Sequence, residues 1–144
     1  MQAADTPLEI VYEDDEALEI DETALFSLCR KVYSGESVAE NRSVDLVFCN
    51  ERTIKRLNND FRKKDCVTDV LSFCFNDFDY LGEIYICIQC ADEQRKEYGL
   101  SLDEEVQRLF IHGIFHLLGF NHESEDERII MERREKKYID LEKE

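Results

Sequence analysis

The sequence predicts an α+β fold: a small mixed four-stranded sheet packed with about five helices, with a histidine motif on a buried helix. Three observations predict it. Four short runs rich in Val, Ile, Phe, Tyr or Cys are interleaved with longer runs of helical character. The order β-α-β-α-β-β, followed by helices, suits helices laid on a mixed sheet rather than a bundle or a sandwich. The 144 residues suffice for one packed core, and one domain over 1–144 is expected, without repeat, low-complexity tract or linker.

Leu8–Tyr12 is the first strand candidate, and Asp21–Tyr33 the first helix. Val44–Cys49 and Arg52–Phe61 repeat the strand-then-helix order, and Val70–Phe75 and Glu83–Ile88 supply the last two strands. Gln89–Tyr98, Leu102–Leu118 and Glu125–Leu141 complete the helices. Two of them open on a capping box, Ser101 with Glu104 and Ser124 with Glu127. Pro7, the only proline, and five glycines punctuate the turns. Along Leu102–Leu118, Val106, Leu109, Phe110, Ile114 and Leu117 share one face, and Ile111, Phe115 and Leu118 extend the apolar surface almost all round. Such a helix is buried. His112 and His116 fall at the margin of its main apolar face, about 40° apart at the helical repeat.

Composition narrows the function classes. Hydrophobic residues make up 43% and charged residues 36%, as in a soluble globular chain. No apolar run is long enough to cross a bilayer, and the acidic first residues resemble neither a secretion signal nor a transit peptide, so a cytoplasmic location is expected. The six cysteines are then expected to be reduced, small buried hydrophobes. Cys87 and Cys90 form a lone C-x-x-C that begins in a strand, where positions three apart point to opposite faces. The net charge of −16 is uneven: residues 1–40 carry eleven acids and two bases, whereas 51–64 carry six bases and two acids. Arg52, Lys55, Arg56, Arg62, Lys63 and Lys64 thus make either a solvated helix face or a local phosphate-binding surface.

The chemistry concentrates in His112-Gly113-Ile114-Phe115-His116-Leu117-Leu118-Gly119-Phe120-Asn121-His122. Histidines at i and i+4 on a helix place both imidazoles on one side, close enough to share a metal ion. Gly119 suits a left-handed helix end, after which the chain can return His122 as a third ligand. Three protein ligands leave a coordination position open, and one zinc ion is the expected cofactor, although imidazole also suits other divalent transition metals. The spacing matches the metzincin pattern except that Gly113 replaces its glutamate base, which disfavours a metallopeptidase. A non-catalytic, metal-stabilised module whose acidic surface binds other proteins is the other alternative.

These residues resemble the YbeY family of bacterial endoribonucleases, the ribosomal RNA maturation factors. The likeness rests on His112–His122 and on two further blocks, Leu57-Asn58-Asn59-Asp60-Phe61-Arg62 with Thr68-Asp69-Val70-Leu71-Ser72-Phe73, and Leu81-Gly82-Glu83-Ile84. Departures are Cys66, Val67 and Cys74 near positions where the family often has proline, and Asn121 where aspartate is usual. The resemblance implies a metal-dependent endoribonuclease specific for single-stranded RNA. It further implies a role in 16S ribosomal RNA 3′-end maturation and ribosome quality control, with the small ribosomal subunit and its proteins as partners. His112, His116 and His122 would be the ligands and Arg62 a catalytic-cleft residue. Chemistry agrees, since a guanidinium clamps phosphate with a planar pair of donors. Arg56, Lys63, Lys64 and Ser72 are the expected substrate contacts. Glu83 is the candidate proton acceptor, with a histidine-orienting role as its alternative. A salt bridge from Arg62 to Asp60 or Asp65 is the competing reading of that arginine.

Overall fold

The computed structural model describes residues 7–14, 19–121 and 123–143. Its elements are β1 (Leu8–Tyr12), α1 (Glu22–Gly35), β2 (Ser43–Cys49), α2 (Glu51–Arg62), β3 (Val70–Cys74), β4 (Tyr80–Cys87), α3 (Ile88–Tyr98), α4 (Leu102–Leu117) and α5 (Glu125–Lys143). The strands form one mixed sheet in the order β1-β2-β4-β3, with β1, β2 and β4 parallel and β3 antiparallel to β4. The expected α+β class and strand number are therefore observed.

Side chains alternate across the sheet, so each strand feeds two different surfaces. Val44, Leu46 and Phe48 of β2 and Ile84 and Ile86 of β4 join the large core with α1, α4 and α5. Their neighbours point the other way. Cys49, Leu71 and Cys87 pack with Ile54 of α2 in a smaller second core.

Most element boundaries shift by one or two residues from the sequence reading, and the largest shift is at β4. β4 begins three residues early, at Tyr80, because the Leu81 carbonyl accepts from the Phe75 and Asn76 amides and closes a hairpin onto β3. β4 also stops at Cys87, which caps α3. Its thiol sulfur accepts from the Cys90 amide at 3.4 Å, so the two cysteines adjoin at a helix start rather than diverging on a strand. Burial pushes both thiols up. All six cysteines are free, but only Cys29, Cys49 and Cys87 are buried, while Cys66 and Cys74 are exposed.

α4 is buried as expected, and two features fix its position. Ser101 accepts from the Glu104 amide at 3.1 Å while Glu104 accepts from the Ser101 amide at 2.9 Å. Gly113 meets β4 so closely that an added Cβ would lie 2.7 Å from the Ile84 Cγ2 atom. At the other end Gly119 has φ +99°, and the Phe120 amide returns to the Phe115 carbonyl at 3.0 Å, closing the helix.

Candidate active site at the edge of β3

The site begins with α4. One helical turn separates His112 from His116, and both reach the same side of the helix. Their Nε2 atoms are 3.1 Å apart, against about 3.3 Å for two imidazoles on one tetrahedral zinc ion with ordinary Zn–N bonds. The rings stand nearly perpendicular, at 82°, with centroids 4.6 Å apart. The His112 Nδ1 atom lies 2.6 Å from a carboxylate oxygen of Glu135 on α5. This donor pair fits a divalent metal. Among the described residues no third histidine, cysteine or carboxylate completes a metal-holding group, and His122 lies outside the described residues.

The opposite wall comes from the end of α2. Asn58, only 3% exposed, donates to the Cys66 carbonyl at 3.1 Å. Its own carbonyl accepts from the Lys64 amide at 3.2 Å, and Lys63 takes the left-handed conformation that ends the helix. One buried amide side chain thus shapes the turn that carries Arg62 and Lys64. Ser72 of β3 donates its hydroxyl to the Gly113 carbonyl at 3.3 Å, tying this wall to the histidine helix.

Between the walls is a cleft of about 540 Å³. It brings together Arg62, Lys64, Ser72, His112 and His116, residues from α2, the turn after it, β3 and α4. Asn58, Thr68, Asp69, Asn121 and Glu123 also line it. Among the described residues no carboxylate pairs with Arg62. Asp65 instead lies 4.0 Å from Lys55, so the expected competing salt bridge of Arg62 is not formed.

Three sequence candidates lie elsewhere. Arg56 is exposed on α2, about 120° around the helix from Arg62, and does not line the cleft. Lys63, at the left-handed cap, does not line the cleft, whereas Lys64 does. Glu83 is the substantial correction. It pairs with Phe73, whereas its neighbour Ile84 pairs with Ser72 and packs on Gly113. Strand alternation therefore puts Glu83 on the face opposite the histidines. There Tyr85 lies 3.5 Å from its carboxylate, and burial together with the charge of Asp45 raises its pKa. Glu135 is the functional neighbour that sequence reasoning missed. Its only signal is a carboxylate placed four residues after Met131 and three before Tyr138, both of which are buried.

The helix also bears on the metallopeptidase alternative. A glutamate at position 113 would drive its Cβ into Ile84, so the packing that excludes a side chain there also excludes the missing base.

A profile of the family described as Endoribonuclease YbeY matches residues 10–142. The chain belongs to that family. Proteins named Endoribonuclease YbeY agree: one from Finegoldia magna is 46% identical over 102 residues, covering 67% of each chain. Another, from Pelotomaculum thermopropionicum, is 38% identical over 119 residues, covering 76% of this chain and 78% of that protein. The fold is similar to a solution structure from Thermotoga maritima, with a TM-score of 0.63, 30% identity, and coverage of 92% of this chain and 87% of that one. As a YbeY endoribonuclease, the chain is a hydrolase that acts on RNA.

Proposed function

We propose that this YbeY enzyme is a zinc-dependent endoribonuclease specific for single-stranded RNA, with His112, His116 and His122 holding the metal. The observation that carries this reading is the convergence of two imidazole Nε2 atoms in the same cleft as Arg62. When bound, zinc supplies Lewis acidity toward phosphoryl oxygens and toward the attacking hydroxyl or water. Arg62 contributes two parallel N–H donors to a phosphate, and Lys64 adds a point charge beside it. Ser72 holds β3 against α4 and keeps these groups at a fixed separation from the histidines. Val67, Val70 and Leu71 give the cleft apolar wall beside its polar groups, which suits an unstacked base next to a clamped phosphate.

The test is cleavage of an unstructured RNA by the purified chain, with a duplex of the same sequence as control. Chelation abolishes cleavage and zinc restores it. Arg62→Ala lowers kcat by about 100-fold, the loss expected for one donor to developing charge. His116→Ala removes stoichiometric zinc. Chelator-resistant cleavage, or unchanged zinc in His116→Ala, rejects the metal site.

The proposed substrate in the cell is the 3′ end of 16S ribosomal RNA. On this reading the enzyme works in the cytoplasm on the small subunit and its proteins, in maturation and quality control. Support comes from the motif blocks shared with the ribosomal RNA maturation factors. Incubating immature small subunits with the enzyme should shorten 3′-extended 16S RNA, read by end mapping. Unchanged ends reject this role while leaving the nuclease reading intact.

A further inference from the structure

We propose that Glu135 is a positioning residue that fixes His112 in the Nδ1–H tautomer and so turns its Nε2 lone pair toward the cleft. The proposal rests on the zinc reading above. The contact is short and sheltered: Nδ1 to the Glu135 oxygen is 2.6 Å, and the two side chains are 26% and 15% exposed. A charged acceptor at that distance makes a strong hydrogen bond.

Glu135 is also held from behind. Met131 and Tyr138, one turn before and after it, are 1% and 2% exposed and face inward on α5. The Tyr138 hydroxyl donates to Glu36 at 2.5 Å, and Arg134 lies 3.3 Å from the same carboxylate. The Tyr138 ring packs near Phe115 of α4, with centroids 6.0 Å apart. α5 is thus anchored to both α1 and α4, and it cannot turn Glu135 away without breaking buried contacts.

The tautomer matters because a neutral histidine in water favours the Nε2–H form, which would present a proton instead of a lone pair to this cleft. With Nδ1–H donating to Glu135, His112 Nε2 keeps its lone pair. In the neutral pair the His116 Nε2–H then donates to it across 3.1 Å. Carboxylate partners of this kind fix ring orientation and basicity in histidine–metal sites. Glu135 touches neither substrate nor the reacting atoms.

The experiment uses the full chain with 15N-labelled histidine. Glu135→Met keeps side-chain volume but removes the acceptor, and Glu135→Gln retains a neutral acceptor. In metal-free wild type, long-range 1H–15N spectra should show His112 as Nδ1–H. Glu135→Met should shift it toward Nε2–H, and Glu135→Gln should preserve it. Zinc affinity by chelator competition should fall about 10- to 100-fold in Glu135→Met and recover most of the way in Glu135→Gln. Unchanged tautomer and affinity in a folded Glu135→Met protein overturn the proposal. Should Glu135→Met fail to fold, Glu135→Gln decides: a wild-type-like tautomer with near-normal affinity supports the proposal, and a lost tautomer overturns it. If wild type keeps the Nδ1–H tautomer but binds no zinc, the metal reading fails, and with it the purpose assigned to the contact.

Discussion

The two faces of the sheet treat their carboxylates differently. On the side of α4, Glu105 is completely buried, yet its oxygens accept from Arg108 at 2.7 and 2.9 Å and from Gln94 at 2.6 Å. On the opposite face Glu83 is partly buried, and that burial, with the like charge of Asp45 beside it, raises its pKa. Depth and partner together decide the cost of a charge: hydrogen-bond donors answer it at Glu105, whereas a like charge adds to it at Glu83. The same contrast separates the functions of the faces. The α4 side is packed tightly enough to hold two imidazoles 3.1 Å apart, whereas the α2 side carries no histidine among the described residues and meets only a small core.

The largest break in this contrast comes from stranding the well-paired carboxylate. Arg108→Met leaves Glu105 with Gln94 alone and should lower stability by about 3 kcal/mol in urea unfolding. The double variant with Glu105→Met should recover most of that loss; no recovery means that Arg108 acts by packing instead. Next is Gly113→Ala, where helix propensity favours alanine by about 1 kcal/mol but the 2.7 Å approach to Ile84 opposes it. Overpacking at about 1–3 kcal/mol wins, so the melting temperature falls and cleavage falls with it. Ile84→Ala in the same chain should relieve the clash.

A smaller effect distinguishes the adjacent lysines at the end of α2. Lys64→Ala should weaken RNA binding several-fold and reduce the salt slope by about 0.7, the value for one phosphate contact on a single strand. Lys63→Ala, outside the cleft, should change the slope less, and equal effects would return Lys63 to the binding surface. The smallest effect is expected at Glu83→Gln. Because the folded pKa is raised, ionisation of Glu83 costs the folded state as pH rises through that value. The variant should therefore be more stable at neutral pH, on the order of 0.5 kcal/mol after solvent screening. The gain should fade as pH falls into the ordinary carboxylate range. Cleavage should be unchanged, and a large loss at equal stability would restore Glu83 to the chemistry.

Much of the site was legible because it is local. His112 and His116 follow from one helical turn, and Gly119 ends the helix at the expected residue. Arg62 carried a motif signal as well as charge. What the sequence could not sort was direction. Arg56, Lys63 and Lys64 are equivalent in composition, but helix rotation and one left-handed cap residue leave only Lys64 in the cleft. Glu83 was misplaced for a related reason. Its strand was recognised, but one position of register exchanges the two faces of a sheet.

The sequence by itself determined the element order, the histidine pair and the family, because periodicity, spacing and motif are properties of neighbours along the chain. Tertiary structure decided which carboxylate meets the histidines. Strand pairing sends Glu83 to the far face, and burial of Met131 and Tyr138 docks α5 so that Glu135 reaches His112 across 23 positions. Such a meeting depends on packing between distant segments, and no local pattern encodes it.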